Sequence, residues 1–150
     1  MSSRFRYLIY LDRVNGGQNW TDLRHCAAPT APGFRGTPLL EPRRLYVIGD
    51  IHGRADLLDR LIDRIANDLG GASARDCLTV TVGDYIDRGP AAPAVLDRLA
   101  GNPFPTEYVA LKGNHEAFLE TFIVDPQVAG DWRMYGGRET SYAYGVDVAS

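Results

Sequence analysis

From Arg43 onward the chain alternates short apolar runs with longer stretches of helical periodicity. "RLYVIGD" (44–50), "CLTVTVGD" (77–84) and "EYVALKGN" (107–114) each read as a buried strand that ends at a glycine. Between the first two, "RADLLDRLIDRIANDLG" sets Leu57, Leu58, Leu61, Ile62, Ile65 and Leu69 on one helical stripe, with Gly70 as a stop signal. "PAAPAVLDRLAG" predicts a shorter helix, with Pro90 at its start and Gly101 past its end, and "HEAFLETFIV" a third. Strand, helix, strand, helix, strand implies right-handed crossovers and a parallel sheet, hence an α/β fold. Upstream the periodicity is lost. "NGGQNWTD" and "AAPTAPGFRGTPLLEP" break regular structure, so residues 1–42 read as an N-terminal extension and linker, and 43–150 as the domain.

The polar residues fall where such a sheet places its ligands, at the carboxyl ends of the strands. "GDIHG" (49–53), "GDYIDRG" (83–89) and "GNHE" (113–116) each close one predicted strand. An Asp and a Gly at a strand end are ordinary turn residues when met alone. Three such groups, carrying carboxylate, imidazole, amide and guanidinium to one edge, point to a site. Asp50, His52, Asp84 and Asn114 form an oxygen and nitrogen donor set without thiolate, suited to Mn, Fe or Zn. Asp84, on the middle strand in sequence, is the natural bridge between two ions. Two metals about 3.5–4 Å apart clamp a phosphate and lower the pKa of a shared water for in-line attack. His115 then serves as a general acid for the leaving alkoxide, Asp87 holds it in one tautomer, and Arg88 grips phosphate oxygens.

Composition narrows the setting. A net charge of −3 gives no electrostatic footprint for nucleic acid, and the 15 arginines are scattered without forming a basic block, with Lys112 the one lysine. Cys26 and Cys77 are too few for a disulfide framework, and a reducing compartment is expected. "YLIYL", flanked by Asp12 and Arg13, is too short for a signal h-region or a membrane span, so the expectation is a cytoplasmic protein without membrane contact. With no secretion, Asn19-Trp20-Thr21 has no consequence as a glycosylation pattern.

The three motifs, with Asp50 and Asp84 separated by 34 residues and Asp84 and Asn114 by 30, resemble the signature of the calcineurin-like metallophosphoesterases, in their phosphoprotein phosphatase branch. Trp132 followed by "YGGRETSYAYG" resembles a segment of the bacterial members, and the similarity runs over about residues 43–145. The resemblance implies a β-sandwich flanked by helices (α/β/β/α), of which this chain holds the first βαβαβ half. It implies two divalent ions, manganese first with iron or zinc as alternatives. Asp50 and His52 would bind one ion, Asn114 the other, and Asp84 would bridge. Arg88 would contact phosphate, with His115 as general acid supported by Asp87. The substrate implied is a phosphorylated one, a phosphoprotein or a small phosphoester.

The resemblance also implies two further histidine ligands downstream of "GNHE", whereas none follows His115, and His25 lies before the first predicted strand. The expectation is therefore an amino-terminal portion, a truncated product or a fragment, that is catalytically incomplete alone. Two other readings stand beside the serine/threonine phosphatase. One is a symmetrical bis(5'-nucleosyl)-tetraphosphatase-like hydrolase, disfavoured by the acidic Asp87 and by "GNHE" where such enzymes carry "GNHD". The other is a metal-binding remnant.

Overall fold

The core of the molecule is a parallel sheet built from β3 (Arg44–Ile48), β4 (Cys77–Thr81) and β5 (Glu107–Ala110). The computed structural model describes residues 8–10, 20–22 and 44–146. Two three-residue strands, β1 (Leu8–Tyr10) and β2 (Trp20–Asp22), extend the sheet to the order β2-β1-β3-β4-β5. β1 runs parallel to β3, with Ile9 opposite Val47, and β2 is antiparallel to β1. Of residues 1–42, read as extension and linker, only 8–10 and 20–22 are described, and the rest, with His25 and Cys26, lies outside the described residues. β4 lies between β3 and β5, and the parallel pairing is the one the alternation of elements predicts, but β5, expected to be buried, is an edge strand with Glu107, Val109 and Ala110 exposed, because a neighbour covers it on one side only.

The crossovers are α1 (Ala55–Leu69) and α2 (Ala92–Ala100). On α1 the predicted stripe is the packed face: Leu58, Leu61 and Ile65 are buried, and Ile62 and Leu69 pack against them. Each of these three fully buried side chains contributes about 1.5–3 kcal/mol. Gly70 ends the helix with φ 54, a left-handed cap that costs glycine nothing. α2 adds Ala92, Val95 and Leu99, which join Tyr46, Ile48, Cys77, Ile86 and Phe104 in one core.

The buried side of β4 is unexpectedly polar. Cys77, Thr79 and Thr81 alternate inward, and the hydroxyls pair within the core: Thr79 Oγ1 with Thr106 Oγ1 at 2.7 Å, and Thr81 Oγ1 with the hydroxyls of Tyr85 at 2.7 Å and Tyr108 at 2.9 Å. Paired hydroxyls can be buried at little cost, whereas an orphaned one costs about 1–3 kcal/mol. Beyond β5, α3 (Asn114–Val124) is followed by a 3₁₀ turn (Pro126–Val128), α4 (Ala129–Trp132), a kinked turn at Arg133–Gly137 and α5 (Arg138–Ala143). Among the described residues no helix is long and apolar enough to cross a membrane.

Candidate active site

Three loops meet at the carboxyl edge of the sheet, one after each of β3, β4 and β5. They touch backbone to backbone. The amides of Ile51 and His52 both donate to Asp84 O at 2.9 Å, and Gly53 N donates to Tyr85 O at 2.8 Å. Such closeness requires glycine: a Cβ on Gly89 would fall on the carbonyl oxygen of His52, and one on Gly113 would fall on the Asp84 carboxylate. The third loop is tied in by Glu116, whose Oε2 accepts Asp84 N at 2.8 Å and Gly113 N at 2.9 Å, while Oε1 accepts Tyr85 N at 2.7 Å.

Within this frame the ligating atoms of His52, Asp84 and His115 all lie within 4.8 Å of one another. His52 is buried, and its Nδ1 donates to Ile86 O at 2.8 Å, which fixes the tautomer and leaves the Nε2 lone pair facing the cluster. Asp50 sits beside it, with Oδ2 3.5 Å from His52 Nε2. Asp84 accepts the amide of His115 at 3.2 Å. Asn114 is exposed and opens α3, next to His115.

His115 is buried edge-on against His52, with ring centroids 4.7 Å apart and an interplanar angle of 81°. Its Nδ1 donates to Asp87 Oδ2 at 2.7 Å. The Arg88 guanidinium spans both rings, with one nitrogen 2.7 Å from His52 Nε2 and another 3.1 Å from His115 Nε2. A guanidinium only donates, so both Nε2 atoms act as acceptors turned toward positive charge. Tyr85, in the same loop, is no rival acid at neutral pH: burial pushes its hydroxyl up to about 12.

The donor set fits a divalent cation. A histidine whose Nδ1–H is held by a backbone carbonyl, beside two carboxylates, is a ligand oriented by its surroundings. The predicted residues therefore converge: Asp50, His52, Asp84, Asp87, Arg88 and His115 share one cluster, and Asn114 stands at its edge. Three contributors lie in quoted segments but receive no role from them. Glu116 is the last letter of "GNHE", and its place at the third position of α3, after Gly113, is the one signal that it caps that helix. Trp132 and Thr140 reach Asp87 from a segment 45 and 53 residues away, a contact no local pattern reveals.

Comparison with known proteins gives the chain its relatives. The chain is 40% identical over 81 residues to "Serine/threonine-protein phosphatase 2" of Escherichia coli, a stretch covering 53% of this chain and 33% of that protein. It is 36% identical over 96 residues to the protein of the same name from Salmonella typhimurium, covering 63% and 39%. It is 43% identical over 74 residues to "Bis(5'-nucleosyl)-tetraphosphatase, symmetrical" of Dechloromonas aromatica, covering 49% and 24%. The chain thus spans between about a quarter and two-fifths of the length of these relatives. Residues 43–148 match the Calcineurin-like phosphoesterase family, and the chain belongs to it.

Proposed function

We propose that this chain carries a metal-dependent phosphoric ester hydrolase site of the serine/threonine phosphatase type. The observation that supports it is the buried His115–Asp87 pair, set with Arg88 against the His52, Asp84 and His115 cluster. Asp50, His52 and Asp84 would hold one divalent ion, and Asp84 and Asn114 a second, with Mn, Fe or Zn compatible with these donors. When bound, the ions would polarise phosphoryl oxygens and acidify water.

The chain's own residues do the rest. Arg88 releases its imidazole contacts to grip phosphate oxygens bidentately. His115, when it carries a proton on Nε2, gives it to the departing alkoxide, and Asp87 on the opposite nitrogen stabilises the imidazolium and keeps the ring aimed. With only two protein donors for the second ion, turnover by this chain is expected to be slow.

A second reading, cleavage of a bis(5'-nucleosyl) tetraphosphate, is favoured by the 43% identity to the tetraphosphatase. The acidic Asp87, and Glu116 where the tetraphosphatase pattern "GNHD" has an aspartate, support the phosphoprotein substrate first. The test is hydrolysis of p-nitrophenyl phosphate with Mn²⁺ by the chain and by His115→Asn and Asp84→Asn, alongside a phosphopeptide and a dinucleoside tetraphosphate. Asp84→Asn should lower the rate on every substrate by about a hundredfold or more, and His115→Asn should do so on the phosphopeptide, whose poor alkoxide leaving group needs the acid. Turnover indifferent to both would overturn the site, and faster dinucleotide cleavage would put the second reading first.

A further inference from the structure

Asp87 is fully buried, and its carboxylate is held from three directions. Oδ2 accepts His115 Nδ1 at 2.7 Å and the Trp132 indole Nε1 at 2.9 Å, and Oδ1 accepts the Thr140 hydroxyl at 2.7 Å. The same Thr140 oxygen accepts the Asp87 amide at 2.8 Å, and the next amide, that of Arg88, donates to Gly136 O at 3.0 Å. Asp87 and Arg88 stand at φ 68 and φ 64, conformations that cost non-glycine residues on the order of 1–3 kcal/mol each and persist only where neighbours impose them. The neighbours here are one segment, residues 132–140. It grips Asp87 and Arg88 by both backbone amides and by both carboxylate oxygens.

We propose that Trp132 and Thr140 are positioning residues for the His115–Asp87 pair, and that the 132–140 segment is a clasp fixing where His115 Nε2 and the Arg88 guanidinium point. A carboxylate held at one oxygen can rotate about its terminal bond. Held at Oδ1 by Thr140 and at Oδ2 by Trp132, it presents one fixed acceptor to His115, and the imidazole is fixed in turn. Neither residue touches the reacting atoms; each acts through Asp87. The inference rests on the reading of His115 as the proton donor, so its test must separate the two.

A general acid matters most when the leaving group is poor. Phenyl phosphate and p-nitrophenyl phosphate, assayed with Mn²⁺, therefore report positioning by their difference. Thr140→Val removes the hydroxyl and Trp132→Phe the indole N–H; each should slow phenyl phosphate about tenfold, part of the 10²–10⁴ such an acid supplies, and p-nitrophenyl phosphate by less than about threefold. Thr140→Ser should restore the wild-type ratio.

Independently of turnover, nitrogen-15 spectra of the metal-free chain should show His115 as a single Nδ1–H tautomer in the wild type and Thr140→Ser, and as a mixture in Thr140→Val and Trp132→Phe. Equal slowing of both substrates, Thr140→Ser as impaired as Thr140→Val, or an unchanged His115 tautomer would overturn the proposal. Should His115→Asn show no leaving-group bias, the acid reading fails and the nitrogen spectra alone decide the clasp. They also decide if the wild-type chain turns over neither ester. If circular dichroism finds Thr140→Val unfolded, Trp132→Phe and Thr140→Ser carry the comparison.

Discussion

His52, Asp84, Arg88 and Asp87 have φ of 43, 56, 64 and 68, and among the described residues only Asn102 joins them as a non-glycine in that region. The strain is concentrated where the chemistry is, and each strained amide has a fixed acceptor. His52 N is held by Asp84 O, Asp84 N by Glu116, Asp87 N by Thr140 and Arg88 N by Gly136 O. Glu116 has the heaviest load, since its two oxygens take three amides from two loops at 2.7–2.9 Å. Glutamine keeps the volume but offers one acceptor oxygen and an NH₂ that meets an amide donor face to face. Glu116→Gln should therefore lower the stability of the metal-free chain by about 1–3 kcal/mol in urea unfolding, the cost of a buried amide left without an acceptor. A midpoint equal to wild type would mean that the carboxylate is not what holds the two loops.

At the scale of elements, β3, β4, α1 and α2 are legible because each repeats one period for long enough to be read, whereas β5 is legible as a strand but not as the buried one its apolar run predicts, and α3 buries only His115. α1 is the clearest, its stripe being its buried face. β1 and β2 are not legible, because three residues contain too little of any period, and pairing makes them strands, β1 with β3 and β2 with β1. α4 and α5 escape for a different reason: they are short, and their contacts, those of Trp132 and Thr140 with Asp87 among them, are long-range. Strand content also sets an alkaline limit. Tyr46 of β3 and Tyr85 after β4 are pushed from 10.0 to about 12, chiefly by burial. The raised value favours the neutral phenol in the folded state, so this stability is fully present below pH 10.0 and is lost as pH rises through about 12. The urea midpoint should fall over that interval, and the fall should be shallower in Tyr46→Phe combined with Tyr85→Phe. An equal slope in that double variant would exclude the two phenols as its cause.

The whole molecule joins these scales through the strand order. Because β4 lies between β3 and β5, the loop bearing Asp84 touches the loops bearing His52 and His115 directly. An ion held among them would cross-link three chain segments that are separate in the unfolded state, so binding and folding are coupled. Mn²⁺ at a hundred times its dissociation constant should then raise the unfolding free energy by about 2.7 kcal/mol. Asp84→Asn should abolish the shift, since Asp84 is shared by both proposed ions, whereas Asn114→Ala should reduce it only in part. Donor counting adds a stoichiometry: Asp50, His52 and Asp84 give one ion three protein ligands against two for the other, so dialysed chain should retain at most about one ion. Calorimetric melting with and without Mn²⁺, together with metal analysis of the dialysed protein, measures both quantities. A melting temperature unmoved by saturating Mn²⁺, or a shift that survives Asp84→Asn, would refute metal binding at the meeting point of the three loops; two tightly retained ions would show that further ligands complete the second position.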